Sequence, residues 1–359
     1  MNRWLNTLAA LAVIGISLPQ LARAQMASPE QIAEQQALEK TYPQLQITDQ
    51  FLELSVPNNT VGETMGVALN SKGHLFVYTR TGPMGIARGG QAARLFEWGP
   101  GPRYKFVKEW GPNNYAASFA HGVRVDIQDN VWMVDEGSGM VVKFNPRGQP
   151  VMWLGRTPET IDYLETYVEH FGRGYTMLAN RPEHPVGRTG QFDRPTDVTW
   201  DSHGNIFVAD GYNNSRVVKI SPEGKWLKTV GTWGKGQDQF NLLHSIAADA
   251  ADNIYIADRS NWRIQVYDND LNYQRTITGV GSPWSVCISP GSPQYLFSGD
   301  GNGKIYKLTL EGKVLGMAQT SLGRGGDPFL LLHAIACPDA NTLYVGSANL
   351  WDVQKITIH

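Results

Sequence analysis

His244-Ser-Ile-Ala-Ala, then Ala251-Asp-Asn, then Ile254-Tyr-Ile-Ala-Asp decide how this chain of 359 residues is organised. The first stretch alternates as a strand with one buried face does, the second is a polar turn, and the third is a second strand ending on an acid. The same unit recurs along the chain. Its first strand reads Met65-Gly-Val-Ala-Leu, His121-Gly-Val-Arg-Val, Thr196-Asp-Val-Thr-Trp, His244-Ser-Ile-Ala-Ala, Trp284-Ser-Val-Cys-Ile and His333-Ala-Ile-Ala-Cys. A third strand follows in each unit, as in Val217-Val-Lys-Ile or Ile305-Tyr-Lys-Leu. Where a unit is complete, a turn such as Ser221-Pro-Glu-Gly leads to a fourth strand, Trp226 to Val230.

Six units of four short strands predict an all-β, six-bladed β-propeller. The sixth unit runs out at His359 after its third strand, and an N-terminal strand within Gln50 to Val56 is expected to complete it, closing the ring and removing an open sheet edge. The propeller is assigned to residues 48–359, with an insertion at 157–190 between the second and third units and a helical or loose leader at 25–47. Residues 1–24 read as a cleavable signal peptide: Arg3 precedes the apolar run Leu5 to Leu18, and Ala22-Arg23-Ala24 offers a cleavage site. The expected location is therefore periplasmic or secreted.

The formal charge is −2, and removing Arg3 and Arg23 leaves −4, too slight and too mixed in sign for a nucleic-acid footprint. No second long apolar run follows, so the mature chain is not expected to insert in a membrane, and a ring with closed edges is expected to be a monomer. With two cysteines, Cys287 and Cys337, the chain is no disulfide scaffold. They lie three and four residues from the start of neighbouring repeats, offsets that point strand residues to opposite faces, so two buried free thiols are expected. Eleven tryptophans fit packing between blades.

The histidines carry the chemical signal. His121, His244 and His333 hold one register, the first residue of the innermost strand, in the second, fourth and sixth repeats. Alternate blades of a six-bladed ring are related by a pseudo-threefold axis, so the three side chains should converge on the channel. A lone histidine there would be an ordinary strand-end residue. Three in identical register predict a metal site, and three neutral imidazoles with an open fourth position are the catalytic zinc pattern. Arg80 and Arg259 both fall fifteen residues after the register position, at the end of the second strand, and Tyr212 falls one residue later in its own repeat. Two guanidiniums suited to a carboxylate and a phenol suited to general base work should therefore rim the metal.

The chain resembles the peptidyl-α-hydroxyglycine α-amidating lyases, six-bladed propellers of NHL repeats. The resemblance is strongest in Gly190-Gln-Phe-Asp-Arg-Pro-Thr-Asp-Val, Ala209-Asp-Gly-Tyr-Asn-Asn-Ser-Arg-Val-Val-Lys, Gln239-Phe-Asn-Leu-Leu-His-Ser and Ala257-Asp-Arg-Ser-Asn-Trp-Arg-Ile-Gln. It implies zinc on His121, His244 and His333, active-site arginines at Arg80 and Arg259, and a catalytic tyrosine at Tyr212. It also implies a carbon–nitrogen lyase that splits an N-acyl-α-hydroxyglycine, a small or peptide-like α-hydroxyamide, into a primary amide and glyoxylate. Ala334 stands where the family's structural Ca²⁺ has a carboxylate, which makes that site doubtful here, and Asn213 and Ile254 replace two family disulfide cysteines. The alternatives are a non-catalytic NHL propeller that binds a periplasmic partner and a metal-dependent lactone or ester hydrolase.

Overall fold

In a computed structural model, residues 27–57, 61–81, 93–155, 189–321, 331–348 and 350–359 are described. They form six four-stranded antiparallel sheets arranged as the blades of a propeller. The innermost strands are Glu63–Leu69, Ala120–Val125, Asp197–Trp200, Leu243–Ala248, Pro283–Ile288 and Leu332–Ala336. Each hairpins to a second strand that is almost wholly buried, such as Val131–Asp135 or Ile254–Asp258, and the outermost strands alternate or face water. Blades stack through their faces. Phe76 of the first meets Trp110, which meets Phe144 of the second, and Trp132 of the second meets Trp200 of the third at 5.2 Å between centroids. Such aromatic pairs add about 0.5–1.5 kcal/mol each beyond their burial.

The ring closes as expected in kind, a few residues earlier than the sequence suggests. The closing strand is Ile47–Phe51, paired antiparallel with Asp352–Ile358. The leader forms a helix, Pro29–Glu39, whose N-terminal Ser28 side chain caps the Gln31 N–H. It is anchored on the fifth blade, where buried Glu39 meets Lys304 and accepts from the Tyr306 hydroxyl. The chain then runs along the outer strand Val314–Gln319 by hydrogen bonds of Leu45 and Pro43 with Met317 before entering the sixth blade. The expected signal segment 1–24 and the expected insertion up to residue 188 lie outside the described residues. Among the described residues, no helix is long and apolar enough to cross a membrane.

Cys287 and Cys337 are not free thiols. They form a disulfide with 6.2 Å between Cα atoms, and among the described residues no free cysteine remains. The opposite-face argument holds within one sheet and fails between two: stacked blades present opposite faces to each other. A residue on one face of the fifth blade therefore meets one on the other face of the sixth, and both cysteines sit in the apolar cluster between those blades.

Candidate metal centre

The innermost strands carry a local irregularity that builds the centre. In the second blade Ala120 pairs with Asp135 and Gly122 with Val134, so His121 is left out of the ladder. His244 and His333 are skipped in the same way, as are Met65 and Trp284 in two of the intervening blades. A residue bulged out of its ladder is re-aimed, and its carbonyl is freed from pairing. Even-numbered blades use this to turn an imidazole toward the axis. Odd-numbered blades offer a carbonyl: His121 Nδ1 donates to Thr196 O at 2.6 Å, His244 Nδ1 to Trp284 O at 2.5 Å and His333 Nδ1 to Met65 O at 2.7 Å.

These bonds fix each ring with Nδ1 protonated and leave the Nε2 lone pair pointing inward, the arrangement that metal-binding histidines use. The rings are 2%, 1% and 5% exposed, and their ligand atoms all lie within 4.8 Å of one another. Burial, the neighbouring rings and the Arg80 charge hold His121 well below the usual imidazole range. Burial, His333 and Arg259 do the same for His244. Burial and Arg80 push His333 down to about 3. All three are therefore neutral at pH 7, the form that can hold one metal ion.

Tyr212 leaves the end of the third blade's second strand, and its hydroxyl stands 3.3 Å from Nε2 of both His121 and His244. Burial raises its pKa, as does the charge of Glu136, while Arg259, Arg194 and Arg80 oppose them. Arg80 closes its strand opposite Glu63. Its Nε donates to Ala120 O at 2.9 Å, its Nη2 to Glu136 at 3.0 Å, and its guanidinium lies 3.4 Å over the Phe119 ring. Arg259 stacks 3.4 Å over Trp284, the residue whose carbonyl holds His244. All six sequence-predicted residues thus lie around one point at one end of the channel.

Two members of the rim were missed. Glu136 is buried and takes both Arg80 and the Arg194 guanidinium, and Arg194 lies 4.5 Å over the Tyr212 ring. Glu136 was legible: it falls fifteen residues after His121, the register that singles out Arg80 and Arg259. Arg194 precedes its inner strand with a positive φ of 64°, shared by Leu242 and Leu331 at the same offset, a backbone feature that sequence periodicity does not mark.

Residues 192–220 match the NHL repeat family model. The chain is 26% identical to the peptidylglycine α-amidating monooxygenase of Rattus norvegicus over 83% of its own length, and it spans 30% of the length of that relative. It is also 26% identical to the "Probable peptidyl-alpha-hydroxyglycine alpha-amidating lyase" of Caenorhabditis elegans, over 69% of each chain. Among solved structures, the virginiamycin B lyase of Staphylococcus aureus superposes with a TM-score of 0.53 at 12% identity, covering 88% of this chain and all of that one. That likeness is one of propeller fold. The relatives named for peptide amidation are similar in sequence over most of the chain.

Proposed function

We propose that this NHL-type six-bladed propeller is a zinc-dependent carbon–nitrogen lyase of the peptidylamidoglycolate lyase type, acting in the periplasm or outside the cell. The observation that carries the reading is the Tyr212 hydroxyl beside two of three buried, neutral, converging imidazoles, inside a rim that holds Arg80, Arg194 and Arg259. The donor set suits zinc: three nitrogens with lone pairs inward and each far nitrogen tied to a carbonyl. A calcium ion beside the zinc is not proposed, because position 334 is alanine and the cationic Arg124 side chain lines the same cavity as the histidines.

Zinc, when bound, supplies a Lewis acid for the substrate hydroxyl and lowers its pKa. The residues divide the remaining work. Tyr212, whose ionisation burial and Glu136 oppose and the three nearby guanidiniums assist, removes the hydroxyl proton of R-CO-NH-CH(OH)-COO⁻. The arginines hold the carboxylate by charge-assisted hydrogen bonds. As the C–O bond becomes a carbonyl, the C–N bond breaks and its electrons pass to nitrogen. The amide nitrogen then takes a proton, giving R-CO-NH₂ and glyoxylate.

The test is metal content of the purified protein beside a His121→Ala/His244→Ala/His333→Ala variant, with glyoxylate release from α-hydroxyhippurate. One zinc per chain, lost in the variant together with glyoxylate production, is the expected result. Zinc with lactone or ester turnover and no glyoxylate would move the assignment to a hydrolase. A folded wild type that takes up no metal would leave a binding propeller.

A further inference from the structure

We infer that Arg124 is a positioning residue for the histidine ring, a role that rests on the metal-site reading above. Arg124 lies three residues after His121 on the same inner strand, with its side chain 18% exposed. Its guanidinium lies in the central channel, and one side chain reaches four other blades. Nε donates to Asp197 Oδ1 at 2.8 Å and Nη2 to Asp197 Oδ2 at 2.5 Å, a paired contact with the third blade. Nη2 also meets Ser245 Oγ of the fourth blade and Val286 O of the fifth, each at 3.1 Å, and Nη1 donates to Ile335 O of the sixth at 3.2 Å.

Every partner is one or two residues from an atom that builds the ring. Asp197 follows Thr196, the acceptor for His121, and Ser245 follows His244. Val286 is two residues beyond Trp284, the acceptor for His244, and Ile335 is two beyond His333. The partners are also bonded to each other: Ser245 Oγ donates to Asp197 at 2.7 Å, Ile246 N to the same carboxylate at 3.1 Å, and Val286 N to Ser245 Oγ at 3.1 Å. One cavity is lined by His121, His244 and His333 together with Arg124, Asp197 and Ser245. Gly122 leaves room for this layer, since a Cβ there would lie 2.9 Å from Thr196 O and 3.5 Å from Asp197 Oδ1.

The consequence is geometric. Imidazoles on three separate sheets keep their mutual spacing only if the sheets do, and ligand distances in a metal site have a tolerance of about 0.2 Å. A planar fork with several fixed donors can set that spacing, where a point charge on a flexible stem cannot. Arg124→Lys keeps the charge and loses the fork. Arg94→Lys makes the same change in the paired Arg94–Glu109 contact on outer strands of the first blade, and is the control.

Two readouts are taken on the full mature protein: zinc affinity by chelator competition, and the low-field proton signals of the three Nδ1–H groups in metal-free protein. Arg124→Lys is expected to weaken zinc binding about 10–100-fold, as lost outer-shell support does, and to shift or broaden the Nδ1–H signals. Arg94→Lys should change neither. A folded Arg124→Lys with wild-type zinc affinity and unchanged signals overturns the inference. Should Arg124→Lys not fold, Ser245→Ala removes one bond to each of Asp197, Arg124 and the Val286 N–H, and an unmoved His244 signal in it counts the same way. A wild type that binds no zinc sinks the metal reading instead, and the imidazole signals alone then decide for or against Arg124.

Discussion

Replacing Tyr212 by phenylalanine removes one oxygen from the centre and little else. Among the described residues, the contacts of that hydroxyl are Nε2 of His121 and Nε2 of His244, both at 3.3 Å. The ring itself stays held by Arg194 at 4.5 Å and by the His121 ring at 5.4 Å between centroids. Loss of so weak a pair of contacts should cost about 1 kcal/mol of stability at most, a melting shift of a few degrees for a chain of this size. Turnover should respond on another scale. A positioned general base contributes about 10²–10⁴-fold, or about 2.7–5.5 kcal/mol in the barrier. Glyoxylate release from α-hydroxyhippurate should therefore show kcat for Tyr212→Phe reduced by at least a hundredfold, with KM within about threefold of wild type and zinc content unchanged. A kcat within tenfold of wild type would refute the assignment of the base.

The buried neutral histidines give a pH dependence of defined sign. Their folded pKa values lie below the ordinary 6.5, so the unfolded chain binds protons that the folded chain does not, and metal-free stability must fall as pH drops below about 6.5. Three such groups would lose about 4 kcal/mol between pH 7.5 and 5.5, read in urea as the difference between wild type and the triple alanine variant; equal slopes in the two proteins would contradict it. The Cys287–Cys337 bridge spans 50 residues of sequence and should contribute up to about 4 kcal/mol by restricting the unfolded chain. Urea midpoints with and without reductant measure this, and identical midpoints would show that the bridge contributes nothing. Deleting the chain through Phe51 exposes the edge of Asp352–Ile358 and should yield concentration-dependent association in sedimentation, whereas a monomeric, cooperatively folding product would show the closing strand to be dispensable.

The repeat made the fold readable, because each blade announces itself by an alternating strand, a polar turn and a second strand. His121, His244 and His333 were readable for the same reason: identical register in a ring becomes proximity. What escaped the reading depends on relations between sheets. Cys287 and Cys337 appeared to diverge because parity was counted within a strand, while stacked blades meet by opposite faces. Arg124 has no counterpart of its kind at the same register, where the other repeats place Ala68, Thr199, Ala247, Cys287 and Ala336. Its reach across five blades follows from the channel's width, which no single repeat encodes.

The charge of the rim bears on the choice between lyase and hydrolase. The guanidiniums of Arg80, Arg194 and Arg259 gather at the rim with the carboxylates of Glu63 and Glu136 among their neighbours. Glu136 is shared between Arg80 and Arg194, and so balances one of that pair. Glu63 is 3.9 Å from Arg80, and burial raises its pKa, so it offsets the remaining charge less than a solvated carboxylate would. With the histidines neutral, three guanidiniums gathered at one rim offer a substrate anion charged donors. Guanidiniums hold a carboxylate by paired, charge-assisted hydrogen bonds, and an N-acyl-α-hydroxyglycine brings one carboxylate. A lactone or simple ester brings none, and would make no use of those donors. The rim thus favours a substrate in which the carboxylate and the hydroxyl sit on one carbon, the first against the arginines and the second within reach of Tyr212.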